Sequence, residues 1–553
     1  MTVHHQLAAV LQQAVQTAQI AGTLPTFDPP EMTIERPRDV AFGDYASPTP
    51  LKLAREARMA PLKIAQVIVQ HLPDTAYIQE VTVAPPGFIN IRLTEARLQR
   101  VLVEVLEQGA EYGRLHLGDG KKAQIECVSA NPTGPIHIGR TRGGVMGDTL
   151  ARAMRLAGYD VVLEYYYNDA GRQITMLGES TKIRYLQLLG QEAELGPDHY
   201  KGDYITDIAR ELYKAHGAAL LDESTEYFGG YAKDKISQSQ KETLRRINIV
   251  FDVYFNEQKL YETGRVWEAL EILQEKGYVY VQENAQWFKT TEFGDDKDRV
   301  LVRQSGEPTY RMPDIAYHWD KAQRGFDLVV DIFGPDHHAT APQVLMGVQA
   351  LGYPTDFVRT VLHQIISIIK DGQEVKMSTR SGTFVALDDI LDEVGPDPIR
   401  YFMISRSGNS PIEFDLDLAL EKSDKNPVYY IQNAHVRCAG IFRKWAEAGG
   451  APNAAADADL SLLTHENELA FMRKALELSA VIEQMVLTSE PHHIAFYAYE
   501  LAAVFHPAYE KCRVLSEDVP EPLRRGRLYF YGAAKQLFAH VLNLMGMSAP
   551  EVM

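Results

Sequence analysis

The amino-acid sequence predicts an α/β fold in which a doubly wound, mostly parallel sheet follows an α+β segment and precedes an all-helical one. Strand and helix patterns alternate between about residues 119 and 420, as they do where helices cross between parallel strands. Strand patterns fade after Asn426, whereas helical patterns continue to the end of the chain. At 553 residues the chain is too long for one hydrophobic core, so we expect several domains.

The beginning of the chain forms the α+β segment of this prediction. It opens with a Gln-rich helical pattern, continues with a helix at residues 50–70, and ends in a pair of strands that closes at Leu93. A turn-rich stretch at residues 118–122 separates this segment from the sheet. We therefore expect three domains, at residues 1–118, 119–420 and 421–553.

The second block opens with a strand, a loop, a helix and a second strand. Residues 124–129 and 161–167 predict the two strands, and Gly158 is the predicted stop of the helix. The helix is amphipathic because apolar residues recur on one face, namely Met146, Leu150, Ala153, Met154 and Ala157. The loop before this helix suits a nucleoside triphosphate, because unpaired N–H groups and the positive dipole end face phosphate oxygens there.

Three later stretches complete the predicted organisation. Residues 175–280 are mostly helical and charged, and we interpret them as an insertion between two halves of the sheet. Residues 361–369 predict a buried strand, with a turn at residues 370–372. In the helical block, the small residues at 449–458 predict a linker or loop.

Composition narrows the classes of function. The net charge of −18 and the pI of about 5.5 argue against a broadly basic nucleic-acid binder, although an acidic chain can carry local basic stripes. No apolar run is long enough to cross a bilayer, and the N-terminus lacks a signal pattern. Because Cys127, Cys438 and Cys512 lie far apart, we expect a reducing cytoplasm and neither disulfides nor structural zinc.

The loop before the first helix of the sheet contains His137-Ile-Gly-Arg140. His137 and Arg140 open the helix and can reach a triphosphate, while Gly139 lets a base or ribose approach the backbone. The alternative is that His137 only caps the helix. The glycines at residues 143–147 suggest a dinucleotide loop, but their spacing is wrong and they fall inside the helix, so we reject that interpretation.

A second basic loop, Lys376-Met-Ser-Thr-Arg-Ser-Gly382, follows the predicted strand and turn. Gly372 and Gly382 flank it, as expected of a mobile loop. Cations that close over a pyrophosphate leaving group stabilise charge as it develops. The alternative is a solvated basic turn.

Two further groups of residues suit a small polar substrate. The loop Phe333-Gly-Pro-Asp-His-His338 follows a strand at residues 328–332, where it would face a nucleotide or amino acid. A metal site is the less favoured alternative there, since no third ligand lies at metal spacing on that element. Glu257, Tyr310 and Asp314 suit a guanidinium, whose planar fork accepts bidentate partners. The alternative is that Asp314 caps a helix and Glu257 is solvated.

His137-Ile-Gly early in the sheet and Lys376-Met-Ser late in it resemble the paired signature of class I aminoacyl-tRNA synthetases. The whole chain resembles the bacterial arginyl-tRNA synthetases, and the matching runs are residues 125–139, 293–303, 314–318 and 426–437. In two places the chain departs from the family pattern. Arg140 replaces the second His of the first signature but remains a phosphate donor. Thr379 replaces the second Lys of the other signature, so Arg380 or another base must supply that charge.

The resemblance implies a Rossmann-like catalytic domain, an N-terminal domain that contacts the tRNA elbow and a C-terminal anticodon-binding domain. The implied catalytic residues are His137, Gly139, Arg140, Lys376, Met377, Ser378 and Arg380. The implied ATP-binding residues are Pro132, Gly134, His137, Gly139, Asp336, Gln364 and Lys376. The amino acid would be held by Ser129, Asn131 and His337 or His338 at its α-amino and carboxylate end, and by Glu257, Tyr310 and Asp314 at its guanidinium, with Glu126 in support. Contacts to tRNA would come from Phe88, Asn90, Tyr430, Asn433, Arg437 and Met553, with a turn expected at residues 430–433.

The activity implied by the resemblance is ligation of L-arginine to the 3'-terminal ribose of tRNA(Arg) through arginyl-adenylate. ATP would be the other substrate, AMP and pyrophosphate the products, and Mg²⁺ the counterion of ATP. We expect no structural metal, no membrane contact and a cytoplasmic monomer, and the resemblance implies that tRNA must bind before ATP is activated. Two alternatives stay open: another class I synthetase such as the cysteine enzyme, which would need thiolate ligands for zinc, and a catalytically silent RNA-binding paralogue, which Thr379 suggests.

Overall fold

The structure is a computed structural model. It describes residues 2–37, 39–168, 172–335, 340–375, 385–451, 455 and 457–553. Among the helices within those ranges, none combines the length and the apolar character that a membrane crossing requires.

The N-terminal segment combines helices with a small antiparallel sheet. Its helices are α1 (Val3–Ile20), α2 (Thr49–Ala57), α3 (Pro61–Gln70) and α4 (Glu95–Gln108). Its strands are β1 (Tyr45–Ser47), β2 (Ile78–Ala84) and β3 (Phe88–Leu93), in the order β1-β3-β2. The strand pair is as predicted, but the single helix expected at residues 50–70 is wrong. Arg58 adopts a left-handed φ of 50° and ends α2, and Pro61 begins α3.

The core of the central block is a parallel sheet. Its strands are β4 (Lys122–Glu126), β5 (Asp160–Tyr167), β6 (Val253–Asn256), β10 (Leu328–Phe333) and β11 (Val358–Leu362), paired in the order β11-β10-β4-β5-β6. Helix α5 (Ile138–Leu156) crosses from β4 to β5, which confirms the predicted strand–loop–helix–strand unit. The apolar face predicted for this helix is buried.

The glycines of α5 explain how closely the helix packs on the sheet. A Cβ on Gly147 would lie 2.5 Å from Sγ of Cys127, and a Cβ on Gly144 would lie 2.7 Å from Cγ2 of Val128. Larger residues at these positions would push the helix away from β4. The glycines therefore serve helix–strand packing, and they lie inside the helix as the sequence indicated.

Two excursions leave the sheet, one after β5 and the other after β6. The first is helical and contains α6 (Arg172–Leu188), α7 (Asp203–His216) and α8 (Thr225–Arg246). The second contains α9 (Glu257–Glu262), α10 (Arg265–Glu275) and an antiparallel sheet of β7 (Val279–Gln282), β8 (Ala285–Phe288) and β9 (Arg299–Val302). The single insertion predicted at residues 175–280 is therefore wrong, because β6 lies within it and pairs with β5 as the edge of the main sheet. Four residues between helical patterns are too few for a strand period to show.

The remaining elements of the central block are α11 (Arg311–Gln323), α12 (Ala341–Ala350), β12 (Ile366–Lys370), β13 (Gln373–Glu374), α13 (Leu387–Val394), α14 (Pro396–Met403), β14 (Ile412–Asp415) and α15 (Leu416–Leu420). The strand predicted at residues 361–369 is two strands in two sheets. β11 ends at Leu362 in the main sheet, whereas β12 pairs with β13 and β14. The predicted turn follows β12, where Asp371 and Gly372 have positive φ values of 52° and 69°.

The C-terminal block is helical, as predicted. Its helices are α16 (Pro427–Glu447), α17 (Glu466–Ala475), α18 (Leu478–Thr488), α19 (His492–Lys511) and α20 (Glu521–Leu544). The bundle also packs on the N-terminal segment, where Arg473 Nε donates to Asp44 Oδ1 at 2.6 Å and Tyr112 Oη donates to the Ala475 carbonyl at 3.0 Å. Buried residues from all three segments belong to one continuous hydrophobic cluster.

Candidate active site

The crevice at the carboxyl ends of β4 and β10 is the candidate active site. The chain leaves β4 through α5 to β5 on one side, and β10 pairs on the other side, so the strand order reverses at this point. Ligands bind at such a reversal in open parallel sheets because the loops after the two strands diverge there. A cavity of about 320 Å³ occupies it. The predicted site residues that line the cavity are Glu126, Ser129, Asn131, Arg140, Glu257, Tyr310 and Asp314.

His137 caps α5 and lies between Asn131 and Arg140, which line the cavity. Its Nδ1 accepts from the Gly139 N–H at 2.9 Å, so the capping that the alternative interpretation proposed does occur. Burial, and then the neighbouring Arg140 cation, lower the pKa of His137. The ring is therefore neutral near pH 7 and carries its proton on Nε2, a donor suited to phosphate.

The long helix α8 holds the loop between β4 and α5. Gln240 Nε2 donates to the carbonyls of Asn131 and Gly134 at 2.9 and 2.7 Å. Tyr204 Oη donates to the Thr133 carbonyl at 2.8 Å, and Pro132 is buried. These bonds fix the backbone of a loop that has no regular structure of its own, which pre-organises it for a ligand.

The three residues predicted to hold a guanidinium come from two helix starts. Tyr310 precedes α11 and is 72% exposed, and Asp314 lies in the first turn of that helix. Glu257 begins α9 and accepts from Tyr166 Oη at 2.8 Å. Asp314 does not cap α11, since the cap position is Tyr310, and Glu257 is buried rather than solvated. The alternative structural interpretation of these two acids is therefore wrong.

A row of three carboxylates forms the floor of the crevice. Asp331 of β10, Glu126 of β4 and Glu164 of β5 are register partners across the sheet. Lys321 of α11 is fully buried, and its Nζ donates to Glu126 Oε2 and Asp331 Oδ1 at 2.7 Å each. Arg324 donates to both oxygens of Glu164, at 2.6 and 2.9 Å. Lys321 of α11 and Arg324, the residue that follows this helix, thus compensate the buried negative charge of three strands.

Ser129 and His318 connect the floor carboxylates to the cavity. Ser129 Oγ donates to Glu126 Oε1 at 2.9 Å. His318 Nε2 lies 2.8 Å from Asp331 Oδ2, and its Nδ1 lies 2.8 Å from the Asp314 carbonyl. Burial alone would raise the pKa of Asp331, but the Lys321 ammonium and His318 outweigh it and hold that pKa well below its usual range. Asp331 therefore stays ionised and bound to its partners.

Asp314 behaves differently from the floor carboxylates. Burial raises its pKa to about 6, and the nearby charges of Glu126 and Asp331 act in the same direction. His318 and Lys321 oppose the shift without cancelling it. A cationic ligand would stabilise the ionised form of Asp314, so this carboxylate is poised to respond to a guanidinium.

The sequence prediction missed several residues of the cavity and its floor. They are Tyr166, Asn168, Tyr317, His318, Lys321, Asp331 and His363. A signal was present for part of this set, because residues 314, 317, 318 and 321 recur at helical spacing and so lie on one face of α11. A lysine within that otherwise buried face indicates a buried ion pair.

Parts of two predicted loops lie outside the described residues. These are Asp336, His337 and His338 of the first loop, and Lys376, Met377, Ser378 and Arg380 of the second. The residues that flank them are near the crevice: Gly334 and Thr340 line the cavity. After the second loop, Ala386 bridges to His137, and the Leu387 N–H donates to the Ile136 carbonyl at 2.9 Å. The backbone that follows the basic loop is thus anchored beside the His137 loop.

Gln364 is tied to α5 through its backbone. Its carbonyl accepts from Nη1 of Arg142 at 3.0 Å. Arg142 is fully buried in α5 and also donates to the carbonyls of Ser407 and Ser410, at 2.9 and 2.8 Å. Burial lowers the pKa of Arg142 to about 10, so the guanidinium remains charged near pH 7.

The residues predicted to contact tRNA belong to the N-terminal and C-terminal segments and differ in exposure. Residues 430–433 are helical within α16, so the turn expected there is wrong. Arg437 Nη1 lies 2.8 Å from His506 Nδ1, and the Arg437 guanidinium stands 4.9 Å from the centre of the Tyr509 ring. Met553 is 48% exposed, whereas Asn90 is only 6% exposed in the middle of β3.

Comparison with known proteins agrees with this architecture. Three family models match: an arginyl tRNA synthetase N-terminal domain at residues 3–93, a class I tRNA synthetase (R) catalytic domain at residues 101–400, and a DALR anticodon binding domain at residues 431–553. The arginine–tRNA ligase of Desulfotalea psychrophila is 41% identical over 553 residues, which is the full length of both chains. The chain belongs to the arginyl-tRNA synthetase family.

Other relatives show the same relationship. The arginine–tRNA ligase of Syntrophotalea carbinolica is 42% identical, with 99% of each chain covered. The solved arginyl-tRNA synthetase of Thermus thermophilus is 21% identical over the full length of both chains, with a TM-score of 0.77, and shows the shared fold. As a class I arginyl-tRNA synthetase, the protein has the doubly wound catalytic domain, the N-terminal domain and the helical C-terminal domain that its sequence predicted.

Proposed function

We propose that this arginyl-tRNA synthetase joins L-arginine to tRNA(Arg) in the crevice between β4 and β10, with ATP as the second substrate. The observation that carries the proposal is the acidic and aromatic pocket of Glu257, Tyr310 and Asp314, which lies beside the His137 loop in one cavity. A guanidinium offers five donors in a rigid plane and so suits two carboxylates and a phenol. The relatives named above are arginine–tRNA ligases.

Recognition of the amino acid would divide between the two ends of the pocket. Glu257 and Asp314 would hold the guanidinium, and Tyr310 would cover it. Ser129 and Asn131 would hold the α-amino and carboxylate end, together with His337 or His338. Lysine would leave the two acids poorly paired, because a single ammonium cannot satisfy both with the same geometry, and an unpaired buried charge is costly.

In the first step the arginine carboxylate would attack the α-phosphorus of ATP in line, with pyrophosphate leaving. The carboxylate is already ionised, so this step needs no general base. His137 and Arg140 at the start of α5, with Lys376 and Arg380 from the second loop, would position the triphosphate and stabilise the charge that develops on it. Pro132, Gly134, Gly139, Asp336 and Gln364 would surround the nucleotide. Mg²⁺ would accompany ATP, held by phosphate oxygens and water rather than by side chains.

In the second step a hydroxyl of the 3'-terminal ribose of tRNA would attack the carbonyl carbon of arginyl-adenylate. The ester bond to the ribose forms, the bond to AMP breaks, and the hydroxyl proton leaves with solvent or AMP. The arginine stays held by its guanidinium during this exchange. The pocket therefore serves both steps without a change of amino-acid position.

Binding of tRNA would use the helical C-terminal domain. Tyr430, Arg437 and the exposed Met553 are the proposed contacts there, together with Asn433, since aromatic rings and cations hold splayed loop bases. The partly exposed Phe88 and the largely buried Asn90 of the N-terminal domain are the proposed elbow contacts. We further propose a cytoplasmic monomer that requires bound tRNA before it activates arginine.

The test is ATP–pyrophosphate exchange with each amino acid, with and without total tRNA. We expect exchange with arginine when tRNA is present and at least about a 100-fold loss in Glu257→Gln, since removing one partner of a buried charge contact has this size of effect. Glu262→Gln on the exposed side of the same helix is the matched control and should retain activity. Absence of exchange under every condition, with tRNA still bound, would identify an RNA-binding paralogue instead, the alternative that Thr379 suggests.

A further inference from the structure

A cluster of ligand-bearing side chains lies far along the chain from the active-site loops, at the start of α19. Glu490 precedes the helix, and His492 and His493 are its first two residues. One ring nitrogen of each histidine and one carboxylate oxygen of Glu490 all lie within 4.8 Å of one another. The two imidazole rings are 4.2 Å apart between centroids, and His493 Nε2 is 3.5 Å from Glu490 Oε2.

His492 is the buried histidine of this cluster, and His493 is partly exposed. His492 is only 8% exposed, yet its Nδ1 has no hydrogen-bond partner among the residues that the structure describes. A buried imidazole nitrogen without a hydrogen-bond partner is costly within the fold, and a metal ion would satisfy it.

The cluster lies where the helical C-terminal domain meets the catalytic domain. Ser407, from the loop after α14, donates to Glu490 Oε1 at 3.2 Å. The carbonyl of the same Ser407 accepts from the buried Arg142 of α5. Nearby, Arg359 of β11 donates to the Val486 carbonyl of α18 at 3.0 Å. A ligand in the cluster would thus brace the contact between the two domains.

We propose that Glu490, His492 and His493 bind one divalent transition-metal cation of the zinc class. Two imidazoles and a carboxylate form a three-ligand set of the kind that Zn²⁺ accepts, with water as the fourth ligand. Ca²⁺ and Mg²⁺ are poorer candidates because they prefer oxygen ligands alone. Ligand atoms around zinc lie roughly 3.3 Å apart. Because the three ligand atoms already lie within 4.8 Å of one another, small changes of side-chain rotamer would bring them to that separation.

This proposal differs from the expectation of no structural metal, which rested on the scattered cysteines. The run Glu490-Pro-His-His493 carries no cysteine and resembles no common zinc spacing. It becomes a candidate because the αL residue Ser489 turns the chain before α19 and places Glu490 back against the two rings.

The experiment uses the full chain after dialysis against a chelator, titrated with Zn²⁺ alone by calorimetry and with Co²⁺ by visible absorption. We expect one site per chain, an increase in melting temperature on addition of Zn²⁺, and Co²⁺ bands typical of four-coordinate nitrogen and oxygen ligands. In His493→Ala, Zn²⁺ affinity should fall about 100-fold or more and the increase in melting temperature should disappear.

Two further variants keep the test decisive. His216→Ala removes an exposed histidine at the end of α7 and should bind Zn²⁺ as the parent does. Glu490→Gln retains the ability to accept from Ser407 but loses the anionic ligand, so it should weaken Zn²⁺ binding in a chain that remains folded. Equal Zn²⁺ binding by the parent, His493→Ala and Glu490→Gln would overturn the proposal, as would no binding by the parent at about 100 µM Zn²⁺.

Discussion

The floor of the crevice and the cluster before α19 both contain buried titratable side chains, but the hydrogen bonds of these side chains are satisfied differently. In the floor, Lys321 joins Glu126 to Asp331, and Arg324 holds Glu164 by both oxygens. In the cluster, Nδ1 of His492 has no hydrogen-bond partner within the described residues.

The difference distinguishes buried groups whose charge is balanced within the fold from buried groups that a ligand would balance. A buried carboxylate that meets a lysine within the fold contributes to positioning and is not available to a substrate. Asp314 stands at the edge of the compensated floor with a pKa of about 6, which shows that its charge is less well supported. Asp314 and the His492 ring are thus the groups that a bound cation would complete.

The largest effect is expected when the cation that balances the floor carboxylates is removed. Lys321→Met leaves Glu126 and Asp331 buried without their shared cation, which should lower the free energy of unfolding by about 3–5 kcal/mol. Urea unfolding at pH 7 measures this change. Ser407→Ala, which removes one hydrogen bond at the cluster, is the matched comparison and should cost no more than about 1.5 kcal/mol. Equal losses in the two variants would contradict the distinction between the regions.

The second-largest effect concerns Asp314, whose ionisation should lower the free energy of unfolding. Its folded pKa is raised above the unfolded value of 3.8, so this cost is present at pH 7 and is relieved as the pH falls through about 6. Asp314→Asn should therefore increase the free energy of unfolding at pH 7 by up to about 3 kcal/mol. The same variant should lose arginine-dependent pyrophosphate exchange by about 100-fold.

These two results for Asp314→Asn are to be measured on one preparation, by urea unfolding and by exchange kinetics. Glu262→Gln, an exposed acid on α9, should change neither quantity. A variant that loses stability together with activity would show that Asp314 is supported by the fold rather than reserved for the substrate.

The smallest effect is the pH dependence of arginine binding. Because a guanidinium prefers the ionised carboxylate, KM for arginine should rise about tenfold for each pH unit below about 6, the raised pKa of Asp314. KM for ATP, measured over the same range, serves as the control. Asp314→Asn should show no inflection near pH 6, and an unchanged inflection in that variant would assign the titration to another group.

Much of the catalytic domain was predictable because its signals are local. The helix that became α5 was visible from its apolar period, and the loop before it from residues suited to phosphate. Glu126, Ser129, Asn131, Glu257 and Asp314 were assigned to one pocket by family resemblance, and they do line one cavity. The helical character of the C-terminal domain was equally plain.

The wrong predictions share a physical cause, because each concerns strand pairing or a backbone conformation that local sequence patterns do not report. A four-residue strand such as β6 is defined by its pairing with β5 rather than by its own pattern. Residues 361–369 were predicted as one strand, but the chain leaves the main sheet after Leu362 and enters another. The helix expected at residues 50–70 divides at the left-handed Arg58, a backbone state that periodicity does not report.

The sequence alone determined the order of elements, the chemistry of the loops at the ends of strands and the family to which the chain is similar, because these depend on neighbours within a few turns of chain. The tertiary structure decided which charges meet. Lys321 reaches Glu126 across 195 residues of sequence, and His492 is buried where two domains join. Such pairings arise from the packing of α11 on the sheet and of α18 on α5, and the free energy of a buried charge depends on those long-range neighbours.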